Sequence, residues 1–340
     1  MDLSREILRN RHRLSERQID DFLGESTNAE NQQDRLLGMQ RIGAFIEVTK
    51  ALCEQNIWFL NLKGPLLSQR IYGDPTYRAF RDFDLLVAPK DVNRTMQLLE
   101  RHGYQSTEFA WPQSPKKQKI TLHFINQVEM IHPKSGVMIE VHWKLFSTRI
   151  ANPKTIRRLF EGSIESVEFG GQTLNRLSLE FELFYLIVHG GNHAWFRLKW
   201  LVDIHEILKR EEIHWDTFDR IISDCNAHRQ VDICNDMLQE FFPNGKQFPS
   251  KKNDTHNLGS FAIEQCKQPE GDPHISRLNT TRLTLYRWKL FPHWQHKVDV
   301  TKVITFCKTD LKYDWLPPSR FVYYLFRPVG YVLRAIGVLK

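Results

Sequence analysis

Between residues 57 and 143 the spacing of apolar side chains switches repeatedly between the two-residue period of a strand and the 3.6-residue period of a helix. Ile57-Trp58-Phe59-Leu60-Asn61-Leu62 is a short apolar run ending at Lys63-Gly64, which reads as a buried strand. Pro65 suits the first turn of a following helix that runs to Tyr72, where its missing N–H costs nothing. Beyond the turn residues Gly73-Asp74-Pro75-Thr76, the run Asp82-Phe83-Asp84-Leu85-Leu86-Val87 reads as a second strand. Pro89 and Asp91 open an amphipathic helix carrying Val92, Met96, Leu98 and Leu99, closed by Gly103. Strand-like stretches follow at 120–124, 128–132 and 137–143, the last two joined by Lys134-Ser135-Gly136. Strand, helix, strand, helix and then antiparallel strands predict an α+β fold with a small mixed sheet over residues 56–146.

The flanks have a helical character. Residues 1–55 carry Met39, Ile42, Phe45, Ile46 and Leu52 near one helical face. From 147 to 242 a hairpin at 166–174, with Gly170-Gly171 as its turn, precedes helices expected at 179–189, 198–209, 215–225 and 231–241. Residues 243–280 are polar and rich in Pro, Gly and Lys, which predicts a long loop or linker, and the chain from there to 340 is aromatic and basic. A length of 340 residues allows about two domains. The 12% aromatic content is incompatible with disorder as the dominant state. No run reaches the roughly 18 apolar residues of a membrane span, and residues 1–18 hold no apolar signal core. Five cysteines without a CxxC pair fit neither a disulfide framework nor a zinc ribbon, so a reducing cytoplasm is the expected compartment.

The paired acids carry the chemistry. Strand residues two apart share a face, so Asp82 and Asp84 project together while Phe83 and Leu85 enter the core. Side-by-side carboxylates repel unless a cation bridges them, and Mg²⁺ or Mn²⁺ accepts such oxygens. In Met138-Ile139-Glu140-Val141-His142-Trp143 the same alternation puts Glu140 and His142 on one face. Should this strand lie beside the first, Asp82, Asp84 and Glu140 converge as ligands for two ions, an arrangement used for in-line nucleotidyl displacement. Gly64, between strand and helix, lets backbone N–H groups approach a phosphate, and Lys63, Arg78 and Arg81 are near enough in sequence to add cationic contacts to a nucleoside triphosphate.

These residues resemble a known family. Leu62-Lys63-Gly64, Tyr72-Gly73-Asp74-Pro75, Arg78, the Asp82-x-Asp84 strand, the Glu140-Val141-His142-Trp143 strand, His189-Gly190-Gly191-x-His193-x-Trp195 and Leu198-Lys199-Trp200-Leu201-x-Asp203 are similar to the uncharacterised nucleotidyltransferase family of the DNA polymerase beta-like superfamily. The resemblance implies a compact mixed-sheet nucleotidyltransferase core with N-terminal helices and a mainly helical C-terminal domain that completes the cleft. It also implies Asp82, Asp84 and Glu140 as metal ligands and Gly64 as part of the phosphate loop. Where the wider superfamily has Gly-Ser or Gly-Gly, this chain has Gly64-Pro65, which offers neither a hydroxyl nor an N–H.

His189 and His193, four apart, would share the face of a continuous helix like two zinc ligands, yet the Glu of such a motif is missing and Gly190-Gly191 interrupts the pattern. The preferred reading lets the Gly pair bring the backbone close to substrate, with His142, His189, His193, Lys199 and Asp203 lining a cleft; the alternative is a buried His pair that supports a domain interface. From Ser276 to Lys340 there are twelve basic residues and three acidic ones, an excess of 12 − 3 = 9 that covers the whole net charge of +7. With Trp315, Phe321, Tyr323, Tyr324 and Tyr331, this region suits nucleic acid, an anionic membrane surface, or a helix packing its rings on the helical domain.

The expected function is transfer of an NMP from an NTP to a hydroxyl or phosphate of a small molecule, peptide or glycan precursor. Two alternatives stand beside it. A silent nucleotide-binding scaffold is consistent with Pro65. A nucleotide-sugar glycosyltransferase also holds a metal diphosphate with a DxD, but places a longer nucleotide-binding region ahead of it than the single strand–helix unit found here.

Overall fold

The computed structural model describes residues 3–25, 32–249, 257–268, 277–305 and 308–339. In chain order it begins with α1 (Arg5–Asn10), α2 (Glu16–Leu23), α3 (Gln32–Glu54), β1 (Phe59–Asn61), α4 (Pro65–Tyr72), β2 (Asp82–Val87), α5 (Val92–Arg101) and β3 (Gln105–Ser106). Next come α6 (Pro115–Phe124), β4 (Gln127–Ile131), β5 (Met138–His142), α7 (Pro153–Glu161), β6 (Ile164–Phe169), β7 (Gln172–Leu177) and α8 (Leu179–Asn192). The rest is helical: α9 (Lys199–Arg210), α10 (Trp215–Asp224), α11 (His228–Phe241), α12 (Leu258–Lys267), α13 (Arg277–Leu290), α14 (Trp294–Thr305), a 3-10 turn (Lys308–Lys312) and α15 (Arg320–Ala335). This is the α+β architecture the apolar periods predict.

The chain folds into two units of interleaved segments. One comprises Met1–Gly43, Leu62–Phe80 and Arg149–Lys297; the other comprises Ala44–Asn61, Arg81–Thr148 and Val298–Lys340. The second unit is built on a five-stranded sheet in the order β1-β2-β5-β4-β3, with β2 and β5 parallel and the other neighbours antiparallel. One face is apolar: Phe83, Leu85, Ile139, Val141, Val128 and Met130 are buried, and Phe45 of α3 sets its ring 5.2 Å from that of Phe83. α5 contributes Val92, Met96 and Leu99, the spacing that made it recognisable as amphipathic.

The first unit centres on α8, which is apolar on nearly every side and correspondingly buried. α9, α10 and α11 pack against it. The β6–β7 hairpin turns at Gly170 and Gly171, both at positive φ, as a two-residue turn of right-handed strands requires. Arg70 of α4 joins Glu182 of α8, Glu165 of β6 and the Leu177 carbonyl, so one guanidinium ties three elements together. Gly64 is the N-cap of α4 at φ 78°, ψ −139°, a conformation open to glycine and strained for other residues.

Three expectations are corrected. Residues 120–124 are the end of helix α6, not a strand: Pro115 sits at its first position after Ser114, and Ile120 and Thr121 are its buried side. The stretch 243–280 contains α12, whose Leu258, Ala262, Gln265 and Cys266 form a buried helical stripe within a polar composition, and which packs on α11. Residues 250–256 and 269–276 of that expected linker lie outside the described residues. Of the face expected along α3, Phe45 and Leu52 are buried and Ile42 and Ile46 half-buried, while Met39 is exposed.

Candidate metal centre

The parallel register of β2 and β5 sets the site. Asp84 stands opposite Glu140 and Leu86 opposite His142, and partners in register point to the same side of a sheet. With Phe83, Leu85, Ile139 and Val141 committed to the apolar face, Asp82, Asp84, Glu140 and His142 share the other. β4 extends this polar face, since Gln127 pairs with His142 and Glu129 with Glu140.

The side chains converge closely. His142 Nε2 lies 3.1 Å from Asp84 Oδ1 and 3.3 Å from Glu140 Oε2. Gln127 Nε2 donates to Glu140 Oε2 at 2.5 Å, and Asn126 Nδ2 donates to Gln127 Oε1 at 2.9 Å. One ligand atom from each of Asp84, Glu140 and His142 lies within 4.8 Å of the other two, near enough that the three could hold one divalent cation. Two carboxylate oxygens and an imidazole nitrogen fit a divalent cation: the oxygens suit Mg²⁺ and Mn²⁺ alike, and the nitrogen favours Mn²⁺.

The electrostatics agree with that donor set. Burial holds the His142 imidazolium down, but Asp84 and Glu140 outweigh it and push the ring up to about 8. Burial raises the Glu140 carboxyl and the Asp84 and Asp82 charges add to the rise, against the stabilising hydrogen bond from His142. A proton on His142 and a divalent cation among the same atoms are alternative ways to neutralise this carboxylate pair.

A model of the uncharacterised nucleotidyltransferase family matches residues 10–243, well over half of the chain. The chain belongs to that family. No curated protein and no solved structure matches it. In this family member the small mixed sheet, with its surrounding helices and mainly helical C-terminal region, is consistent with the polymerase-beta-like fold.

Not every residue expected at the site of this family member is in the cluster. Asp82 points to the same side as Asp84 and bears on Glu140 electrostatically, but the compact group is Asp84, Glu140 and His142. Two residues along a strand is a stride of about 6.6 Å, and Asp82 stands opposite Met138, two pairs further along the sheet. His142, read from the sequence only as lining a cleft, takes the third position. Gln127 and Glu129 were missed. Their signal was present in the alternation of Gln127-Val128-Glu129-Met130, but which strand they adjoin depends on register.

Arg81 is an exposed residue of the sheet-containing unit. The remaining expected residues belong to the helical unit, with Lys63 and Gly64 following the end of β1 in the chain. Arg78 is buried, its Nε donating to both oxygens of Asp203 at 2.7 and 2.9 Å, so these two residues form one ion pair. Lys63 Nζ lies 3.4 Å from His189 Nε2. α8 runs unbroken through Gly190 and Gly191, with His193 as its C-cap, and the His189 and His193 rings lie 4.8 Å apart beside Trp200. Lys199 and Asp203 are both buried on α9.

The reading of Gly190-Gly191 as a close approach to substrate is corrected. A Cβ on Gly190 would stand 2.5 Å from the Trp195 ring, and one on Gly191 would stand 2.0 Å from Gln230 Oε1. The room above both glycines is filled by the protein itself. Ala194 and Trp195 follow at φ 49° and 53°, the left-handed turn that folds the Trp195 ring back over Gly190.

Proposed function

We propose that the chain is a divalent-metal-dependent nucleotidyltransferase that moves an NMP from an NTP to a hydroxyl or phosphate oxygen of a small molecule, peptide or glycan precursor. The observation that carries this reading is the convergence of Asp84, Glu140 and His142 on one face of a mixed sheet, in a member of a nucleotidyltransferase family. Asp84, Glu140 and His142 would hold one Mg²⁺ or Mn²⁺ ion, and Asp82 and Asp84 a second. Such ions supply charge neutralisation for the triphosphate and lower the pKa of an attacking hydroxyl.

The residues themselves divide the work. Glu140, held by Gln127, orients the acceptor and takes its proton as the acceptor oxygen bonds to the α-phosphorus. The bond from that phosphorus to the bridging oxygen breaks, and pyrophosphate leaves with the electron pair. Arg81, exposed on the sheet-containing unit, is assigned to the triphosphate charge, whereas Arg78 is already committed to Asp203.

The test is incubation of the full chain with each labelled NTP, Mg²⁺ or Mn²⁺ and a cell extract, following transfer of the label. Wild type is expected to transfer one NMP with pyrophosphate release, and Asp84→Ala/Glu140→Ala to lose at least about 10³-fold, the scale of removing a group that stabilises developing charge. Undiminished transfer by that variant overturns the reading. A second reading, a module that holds a nucleotide without transferring it, is favoured by Pro65, which removes an N–H donor from the first turn of α4. Metal-dependent NTP binding without pyrophosphate release would establish it.

A further inference from the structure

α15 is packed on one side only. Tyr323 and Gly330 are buried, and Tyr323 and Tyr324 set their rings 6.0 and 5.1 Å from that of Phe124 on α6. Arg334 pairs with Asp310 of the 3-10 turn. The other side carries Phe321, Leu325, Val329, Val332 and Ile336, each between 51% and 69% exposed. Their spacing of four, four, three and four is that of a single helical stripe, about 22 Å long. Trp315 and Tyr331 are exposed as well, adding rings of the kind that settle at an interface between water and lipid. A contiguous apolar strip of this length on a helix marks an interaction surface.

Charge selects what it would meet. Residues 315–340 contain Arg320, Arg327, Arg334 and Lys340 and no acidic residue. At the start of the stripe, Arg320 stands near Lys144 and Lys302. After burial, these three cations are what hold the His123 imidazole below its ordinary value, with Asp299 offsetting them in part. A second copy of this chain would bring the same positive charges with it. A bilayer containing anionic lipid supplies phosphates for the cations and hydrocarbon for the stripe. Among the described residues no helix is long and apolar enough to cross a membrane, and Pro328 interrupts the α15 hydrogen-bond ladder, so the geometry is that of a helix lying along a surface.

We propose that α15 docks the protein on an anionic lipid bilayer, with Phe321, Leu325, Val329, Val332 and Ile336 in the acyl boundary and the exposed Arg320 and Lys302 at the lipid phosphates. This surface is independent of the reaction assigned to the metal face. The experiment is co-sedimentation of the full chain with vesicles of phosphatidylcholine alone and of phosphatidylcholine with phosphatidylglycerol.

Wild type is expected to bind the anionic vesicles about tenfold more tightly than the neutral ones and to be released by salt. Leu325→Glu/Val332→Glu should weaken binding to both by at least about tenfold, with an unchanged melting temperature because both residues are exposed. Lys302→Glu/Arg320→Glu should remove the preference for anionic vesicles while leaving the weaker binding to neutral ones.

Wild type remaining in the supernatant with anionic vesicles overturns the proposal. So does vesicle binding that Leu325→Glu/Val332→Glu leaves intact. A dimer in sedimentation equilibrium that the same variant dissociates would assign the stripe to a second copy instead, and nucleic-acid retention abolished by that variant would assign it to nucleic acid.

Discussion

Gln127 shows how much of a site can rest on one amide. It sits on β4 opposite His142 and donates to the same Glu140 oxygen that faces the His142 ring. Its own carbonyl is held by Asn126, so the amide orientation is set from behind. Supporting groups of this kind fix the rotamer and basicity of a ligand without touching the ion. Gln127→Leu is therefore expected to weaken Mn²⁺ binding about tenfold, measured by calorimetric titration, without changing the number of ions bound. An unchanged affinity would show that the strand pairing alone orients Glu140. The same residue marks a limit of sequence reading. Alternation tells which residues share a face of their own strand, but only pairing across strands puts Gln127 and Glu129 beside Glu140.

Among the elements, the C-terminal end of α8 departs most from its sequence reading. Two consecutive glycines looked like an interruption and an opening toward a ligand; they are a place where a helix accepts a tryptophan and a glutamine in contact with its backbone. The Trp195 ring is fully buried and cannot swing away, so Gly190→Ala is expected to cost about 2 kcal/mol in urea denaturation through overpacking. A variant as stable as wild type would mean that the turn through Ala194 and Trp195 yields easily. α15 carries a related lesson: it has a well-formed apolar face and leaves most of it exposed. Periodicity reports that a face is apolar, not that the same chain covers it.

At the scale of the whole molecule, the buried titratable groups give stability a pH dependence. His12 is fully buried in the helical unit, where its Nδ1 accepts the Leu198 N–H at 3.0 Å. Burial, followed by the charges of Arg11 and Arg197, takes the ring down from 6.5 to about 3. The unfolded chain thus binds this proton before the native one does. The His12 contribution is complete above pH 6.5 and is lost as pH falls, at roughly 1.4 kcal/mol per unit, levelling off near the folded value. Urea midpoints between pH 7 and pH 4 should fall more steeply for wild type than for His12→Gln, whose amide oxygen can accept the same N–H without titrating. Parallel curves would show that His12 is protonated at little cost.

The order of strands and helices around the sheet, the inward and outward faces of β2 and β5, and the acids Asp84 and Glu140 were legible in the chain itself, because alternation and turn chemistry are local properties. The family resemblance was carried by the same local motifs. Other facts required tertiary structure: that His142 rather than Asp82 completes the compact group, that Arg78 and Asp203 neutralise one another, that residues 120–124 are helical, and that the glycines of α8 are filled. Each depends on which residue from a distant segment occupies the space next to it. That is decided by register and packing, and neither is written in the spacing of a single segment.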